Sequence, residues 1–325
     1  LLGAADIIGR SVVLAKLLAS VSVAATHDMG VLLMGPSGAG KTRIARLIHD
    51  NSGRAKGPFV ELNCATLTET LFESELFGHV RGAFTGADRD KNGLIRAATG
   101  GTLFLDEVAE IPLTSQAKLL KFLESKEYRA LGHEGTRKAD VRIVAATNVD
   151  LKAAVARNTF RTDLYYRLEV MPVVVPSLEE RREDIPALVR HFCERTVDAF
   201  KLPFIEPSEG VLLAAEAAEW PGNIRQLSNA VQRAVVTAAS EGVFRAERRH
   251  LFPDDVASNQ QQGRGDAKDV AATFQDATRA FQSNLLRSTL KEMNWNVTET
   301  ATRLDLTRAH VYNLIRAFGL ARSRP

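Results

Sequence analysis

The segment Gly35-Pro36-Ser37-Gly38-Ala39-Gly40-Lys41-Thr42 follows the apolar run Val31 to Met34 and opens a stretch with Ile44, Leu47 and Ile48 at helical spacing. Glycines let a backbone curl around an anion, and the amides at a helix start present positive charge to it. Strand, glycine loop and helix in this order make a phosphate-binding loop in which Lys41 reaches the β and γ phosphates of ATP and the Thr42 hydroxyl ligates Mg2+. A second acidic element follows the apolar run Thr102 to Leu105. There Asp106 and Glu107 emerge at the carboxyl edge of a sheet, where open α/β folds bind their ligands. Asp106 is suited to hold magnesium and Glu107 to orient and polarise an attacking water, which is the chemistry of phosphoanhydride hydrolysis to ADP and phosphate.

Positioning these groups needs a sheet. Val31 to Met34, Phe59 to Leu62, Thr102 to Leu105, Val141 to Ala146 and Val170 to Val175 are short branched runs separated by longer helix-like stretches. That alternation predicts an α/β fold, a doubly wound parallel sheet with helices on both faces. Beyond Pro176 the pattern turns to helical periodicity, as at Ile185, Leu188, Val189 and Phe192, with no further strand expected. Four segments result: an ATPase α/β subdomain over 1–175, a helical lid over 176–252, a flexible linker over 253–268 that has almost no apolar residue, and a small all-α domain over 269–325.

At 325 residues, 45% hydrophobic and 25% charged, the chain has the composition of a globular protein with two or three domains. No apolar run is long enough for a bilayer span and the start lacks the pattern of a secretory signal, so a cytoplasmic protein without a membrane partner is expected. The chain starts without methionine at an already patterned segment, which points to an upstream portion. Cys64 and Cys193 stand far apart without metal-ligand spacing and read as small core residues. Net charge is only +3, but no acid follows Asp305, whereas Arg308, Arg316, Arg322 and Arg324 do. A basic end on a nearly neutral chain points to a local nucleic-acid surface.

Several further motifs resemble a known family. Gly82-Ala83-Phe84-Thr85-Gly86-Ala87 is similar to the signature hexapeptide of bacterial enhancer-binding proteins, the AAA+ activators of sigma-54 RNA polymerase. Around it stand Glu75 to His79, Gly100 to Glu107, Phe160 to Leu168 and Trp220 to Leu227, all in family order. Glycines at both ends suit a moving tip, and an exposed Phe84 would offer an apolar contact to a partner. The resemblance implies that the partner is sigma-54, touched by the hexapeptide from Gly82 to Ala87, chiefly Phe84 and Thr85. It implies too that a second loop near Glu127 to Lys138 supports the tip.

By the same resemblance Asn63 pairs with Glu107 and links the γ-phosphate state to the tip, Asn148 is a first sensor and Arg225 a second. Arg161 and Arg167 correspond to arginines that reach a neighbouring subunit's ATP, which implies a hexameric ring, with dimers at rest. The alternative, pairing of either arginine with Asp163 or Glu169, stays open. Two departures stand out: most relatives have an acid where this chain has Thr42, and Ser177 and Glu179 replace a usual proline and arginine.

At the C-terminal end, Asn296 to Leu304 predicts a short helix, Asp305-Leu306 a turn, and Thr307 the cap of a second helix with Val311, Leu314, Ile315 and Phe318 inward. This resembles a Fis-type helix-turn-helix, whose second helix enters the major groove of double-stranded DNA. Thr307, Arg308, His310, Tyr312, Asn313 and Arg316 are its candidates for contact with upstream activator sites, and a dimerising helical hairpin is the alternative. For the whole chain the rivals are a DNA-binding regulator without turnover and an AAA+ remodeller of a different protein.

Overall fold

Five branched apolar runs become the strands of one parallel sheet in a computed structural model. It describes residues 7–253 and, beyond them, 286, 287, 289, 290, 292, 293, 295–304, 308, 311, 314, 315 and 318. The strands are β1 (Val31–Met34), β2 (Phe59–Asn63), β5 (Thr102–Asp106), β8 (Arg142–Thr147) and β9 (Met171–Val174), in the order β2-β5-β8-β1-β9. Between β2 and β5 lie the two-residue strands β3 (Gly78–His79) and β4 (Lys91–Asn92), and between β5 and β8 lie β6 (Glu127–Tyr128) and β7 (Arg137–Lys138).

Side chains alternate between the sheet's faces, as pleating demands. Leu32, Leu103, Leu105 and Ile143 point into one core with helices α3 (Glu69–Phe77) and α5 (Leu113–Ser125). Val31, Leu33, Phe104 and Val144 point into the other with α1 (Val12–Thr26) and α2 (Lys41–Asp50). Every residue of β8 is buried, as expected for a strand covered on both faces. Between α5 and β9 run α6 (Leu151–Ala156) and α7 (Thr162–Leu168), and α4 (Leu94–Ala97) precedes β5.

After β9 a 3-10 segment, Glu179–Asp184, leads into α8 (Ile185–Phe200), α9 (Glu209–Ala217), α10 (Asn223–Ser240) and α11 (Arg248–Leu251), which share a separate apolar core. The expectation of no strand beyond Pro176 is corrected here. β10 (Glu206–Pro207) and β11 (Arg245–Ala246) form a short parallel pair inside this helical region. Two residues are too few to show an alternating pattern. The chain's start is tied to this region: Asp184 accepts from Arg10 N–H, Ser11 N–H and the Ser11 hydroxyl at 2.7, 2.9 and 2.7 Å.

Chain contacts divide the protein into two units, Leu1–Ser258 and Asn259–Pro325. In the second, α12 (Val297–Arg303) starts at Asn296, whose Oδ1 accepts from Thr298 N–H at 3.1 Å. Leu286, Leu290, Ala301 and Val311 are buried together, with Leu314, Ile315 and Phe318 partly buried against them. Nearly all of the expected linker lies outside the described residues. Among the described residues no helix is long and apolar enough to cross a membrane.

Candidate functional site

Parallel pairing puts four loop starts along one edge of the sheet. Met34 is level with Thr147, and Asn63 with Asp106, so Gly35, Asn148, Cys64 and Glu107 leave the carboxyl ends of adjacent strands. Gly35 donates to the Thr147 carbonyl at 3.2 Å, holding the glycine loop against β8.

Gly38 and Gly40 have φ of 74° and 100°, a region open to glycine. Gly40 is the N-cap of α2 and no side chain caps that helix, so its first amides are turned toward the loop without a competing side-chain acceptor. Ala39 is buried, Pro36 half-buried and Ser37 exposed. Lys41 is buried, with Nζ donating to the Gly35 and Pro36 carbonyls at 2.8 and 3.1 Å, while Thr42 is exposed beside it. Burial lowers the Lys41 ammonium from its ordinary value, against the pull of the Asp106 and Glu107 carboxylates. The same carboxyl edge raises Asp106: burial disfavours its charge, opposed by the Glu107 N–H, which donates to its Oδ1 at 3.0 Å, and by Lys41. A glycine cradle, an uncapped helix start, one ammonium and two carboxylates form a donor set that fits a magnesium-bound triphosphate.

Glu107 has φ of 56° and ψ of 48°, the left-handed region, in a residue with a full side chain. Such strain gathers where function holds a residue in place.

The helical region closes over the loop through the expected sensor Arg225 and through Asn223, which sequence reasoning left without a role. Asn223 is buried at φ of 53° and donates from Nδ2 to the Ser37 carbonyl at 3.0 Å, while its Oδ1 accepts from Leu178 N–H at 2.7 Å. Arg225 donates to the Ser37 hydroxyl at 3.2 Å and its N–H to the Gly38 carbonyl at 3.3 Å. A Cβ on Gly38 would overlap the Gly222 carbonyl, so glycine is what permits this approach. Beside Ala39 and Gly40 a mostly apolar cleft is lined by Ile7, Ile8, Leu14, Val175, Leu188 and Ile224, with Arg43, Arg181 and His191 among them. Contacts between residues so far apart in sequence leave no local signal.

Asn63 does not pair with Glu107 here, which corrects that expectation. Its Oδ1 accepts from Ala65 N–H at 2.9 Å, a tight turn that holds the side chain against its own backbone. Asn148 follows β8 and is exposed.

The hexapeptide from Gly82 to Ala87 sits at the end of the β3–β4 hairpin. Gly82 and Gly86 have φ of 78° and 98°, and Gly82 N–H donates to the Ala87 carbonyl at 2.9 Å, closing the turn. Ala83 is half-buried and Thr85 exposed. Phe84 is not the exposed side chain expected. It is half-buried, edge-on to the His79 ring at 5.0 Å between centroids. The segment from β6 to β7 props this hairpin: Val80 N–H donates to the Leu131 carbonyl at 3.0 Å and Leu131 N–H to the Gly78 carbonyl at 2.9 Å.

Arg161, at the N-cap of α7, and Arg167, on that helix, are exposed. Arg161 makes a two-pronged pair with Asp163, at 3.0 and 2.7 Å, and Arg167 donates to the Leu123 carbonyl at 3.0 Å. In the single chain Arg161 thus pairs with Asp163 and not with Glu169. Neither arginine is among the charges acting on Lys41 or Asp106, which are each other, Glu107 and Arg225. Of the DNA candidates, Arg308 is helical and exposed. Thr307, His310, Tyr312, Asn313 and Arg316 lie outside the described residues.

A family model described as the Sigma-54 interaction domain matches residues 7–174, and one described as the AAA+ ATPase lid domain matches residues 179–268. The anaerobic nitric oxide reductase transcription regulator NorR of Aeromonas salmonicida (strain A449) is 40% identical over 98% of this chain and 64% of its own length. The transcriptional regulatory protein GlrR of Escherichia coli (strain K12) is 40% identical over 95% of this chain and 67% of its own length. The chain thus spans roughly two thirds of these relatives. A crystal structure of NtrX from Brucella abortus in complex with ATP is 32% identical, covers 97% of this chain and 69% of that one, and superposes with a TM-score of 0.71.

Proposed function

The chain belongs to the sigma-54 activator family, with its interaction domain and AAA+ lid, and from that premise we propose that it is an ATP-hydrolysing transcriptional activator which binds upstream DNA and remodels sigma-54 RNA polymerase to permit open-complex formation. The observation that carries this reading is the meeting, at one sheet edge, of the uncapped start of α2 with Lys41, Asp106 and Glu107, closed over by Arg225.

ATP lies with its phosphates on the amides from Gly35 to Thr42, held by Lys41 and Arg225. Its base enters the apolar cleft beside Gly40. Thr42 and Asp106 would hold Mg2+, which supplies charge neutralisation on the phosphates. Glu107 orients the attacking water and takes its proton, and Asn148 senses the γ-phosphate. The exposed Arg161 and Arg167 reach the ATP of a neighbouring subunit, so turnover requires a ring, a hexamer assembled from resting dimers.

Phe84 and Thr85 contact sigma-54. Phe84 is held by His79 in this structure, so its use requires that edge contact to open. Residues 1–175 and 176–252 form the ATPase and its lid, 253–268 the linker, and 269–325 a Fis-type helix-turn-helix that places Thr307, Arg308, His310, Tyr312, Asn313 and Arg316 toward double-stranded DNA. The setting is the cytoplasm.

Phosphate release and fluorescent-ATP binding test the reading together. Glu107→Ala should bind ATP as the wild type does and release no phosphate; undiminished release would overturn the catalytic assignment. Capture of purified sigma-54 in the presence of ADP and aluminium fluoride should depend on Phe84, and equal capture by Phe84→Ala would transfer the load to another protein.

A further inference from the structure

Arg181 is 6% exposed and its buried Nε has no hydrogen-bond partner. The nearby carboxylate of Asp184 is taken up by three donors from Arg10 and Ser11, and no ion pair joins it to Arg181 among the described residues. A guanidinium carries five donors and no acceptor, and a buried donor left without a partner is costly. Burial pushes its pKa below the ordinary arginine value, against the pull of the Asp184 carboxylate. The backbone is shaped to place it: at φ of −138° and ψ of 43°, Arg181 breaks the 3-10 segment Glu179–Asp184.

The cleft it lines is mostly apolar, walled by Ile7, Ile8, Leu14, Val175 and Ile224 with Arg43 and His191 also on its lining, and adjoins the phosphate loop at Gly40. A flat heteroaromatic ring fits such walls, and a purine brings in-plane ring nitrogens that accept hydrogen bonds. We propose that Arg181 reads the base of the bound nucleotide, donating to a purine ring nitrogen from inside the apolar cleft. This rests on ATP being the ligand of the phosphate loop.

The test uses the 325-residue chain and Arg181→Met, which keeps apolar length and removes the donors. Binding of ATP is compared with binding of inorganic tripolyphosphate, both with magnesium, alongside thermal melting of the unliganded proteins. Expected for Arg181→Met are ATP binding weakened roughly ten- to a hundred-fold, tripolyphosphate binding unchanged, and an unliganded Tm no lower than wild type, because an unmatched buried charge has gone. The 1-deaza, 3-deaza and 7-deaza analogues of ATP then locate the acceptor: one of them should bind the wild type weakly and bind Arg181→Met no worse than ATP does.

Equal weakening for ATP and tripolyphosphate, or a lowered Tm with an unchanged ratio of the two affinities, makes Arg181 a structural residue and overturns the proposal. So does wild-type binding of all three analogues as tightly as ATP. A wild-type chain that holds tripolyphosphate as well as it holds ATP also refutes base reading and leaves the phosphate loop intact. If it binds neither, the phosphate-loop reading falls and the proposal with it.

Discussion

Asn223 donates to the carbonyl of Ser37 at 3.0 Å across 186 residues of sequence, making the first residue of α10 part of the wall of the phosphate loop. Its other end takes the buried amide of Leu178 at 2.7 Å, so one side chain ties loop, lid entry and lid helix together. Replacing it with alanine leaves the Leu178 N–H without a partner, at a cost of about 1–3 kcal/mol. Urea denaturation should show that loss, with ATP affinity falling alongside it. Asn223→Gly loses the same bonds but accepts a φ of 53°, so it should be the milder variant.

Gly38→Ala should act on binding more than on the fold. The added Cβ meets the Gly222 carbonyl and φ of 74° costs an L-residue about 1–2 kcal/mol. The lid is then held off the loop, and ATP titration should show affinity reduced at least about ten-fold.

Removing His79 should release the tip. Its ring contact with Phe84 is of the edge-on kind worth about 0.5–1.5 kcal/mol. His79→Ala should therefore speed chymotryptic cleavage after Phe84 under native conditions, measured against unchanged cleavage elsewhere in the chain.

Arg161→Ala should separate turnover from stability. Its pair with Asp163 is solvent-exposed and contributes little, so Tm should hardly move. Steady-state phosphate release at ring-forming concentration should fall by about 10³- to 10⁵-fold with ATP binding retained. Loss of Tm without loss of rate would leave the arginine as only a surface pair.

His49 gives stability a dependence on pH. It is 3% exposed, its Nδ1 lies 2.9 Å from the Thr102 hydroxyl, and burial lowers its pKa. The unfolded chain takes up this proton near the ordinary value of about 6.5 and the folded chain only at lower pH. Stability is therefore lost as pH falls from about 6.5 toward the folded value, with a slope of at most about 1.4 kcal/mol per pH unit. Chemical denaturation across that window should show the slope in the wild type and a flatter profile in His49→Gln.

Much of the site is written locally in the chain. Branched runs mark all five sheet strands, most plainly the central β1, β5 and β8, where a doubly covered strand must be apolar throughout, and Gly35 to Thr42 reads as a phosphate loop because anion, glycine and helix start constrain one another within eight residues. What escapes is non-local or conditional. The burial of Phe84 depends on a histidine five residues earlier, β10 and β11 are too short for a period, and Asn63 is turned back onto its own backbone. Asn223 and Arg181 matter through neighbours that only the closed lid supplies.

The left-handed backbone at Glu107 has a meaning for selection. Glycine would occupy that position at lower conformational cost, so a lineage judged on thermal robustness alone would drift toward it. A glutamate held there is a standing handicap, kept because what its carboxylate accomplishes outweighs the tenths of a degree or degrees of melting temperature it forfeits.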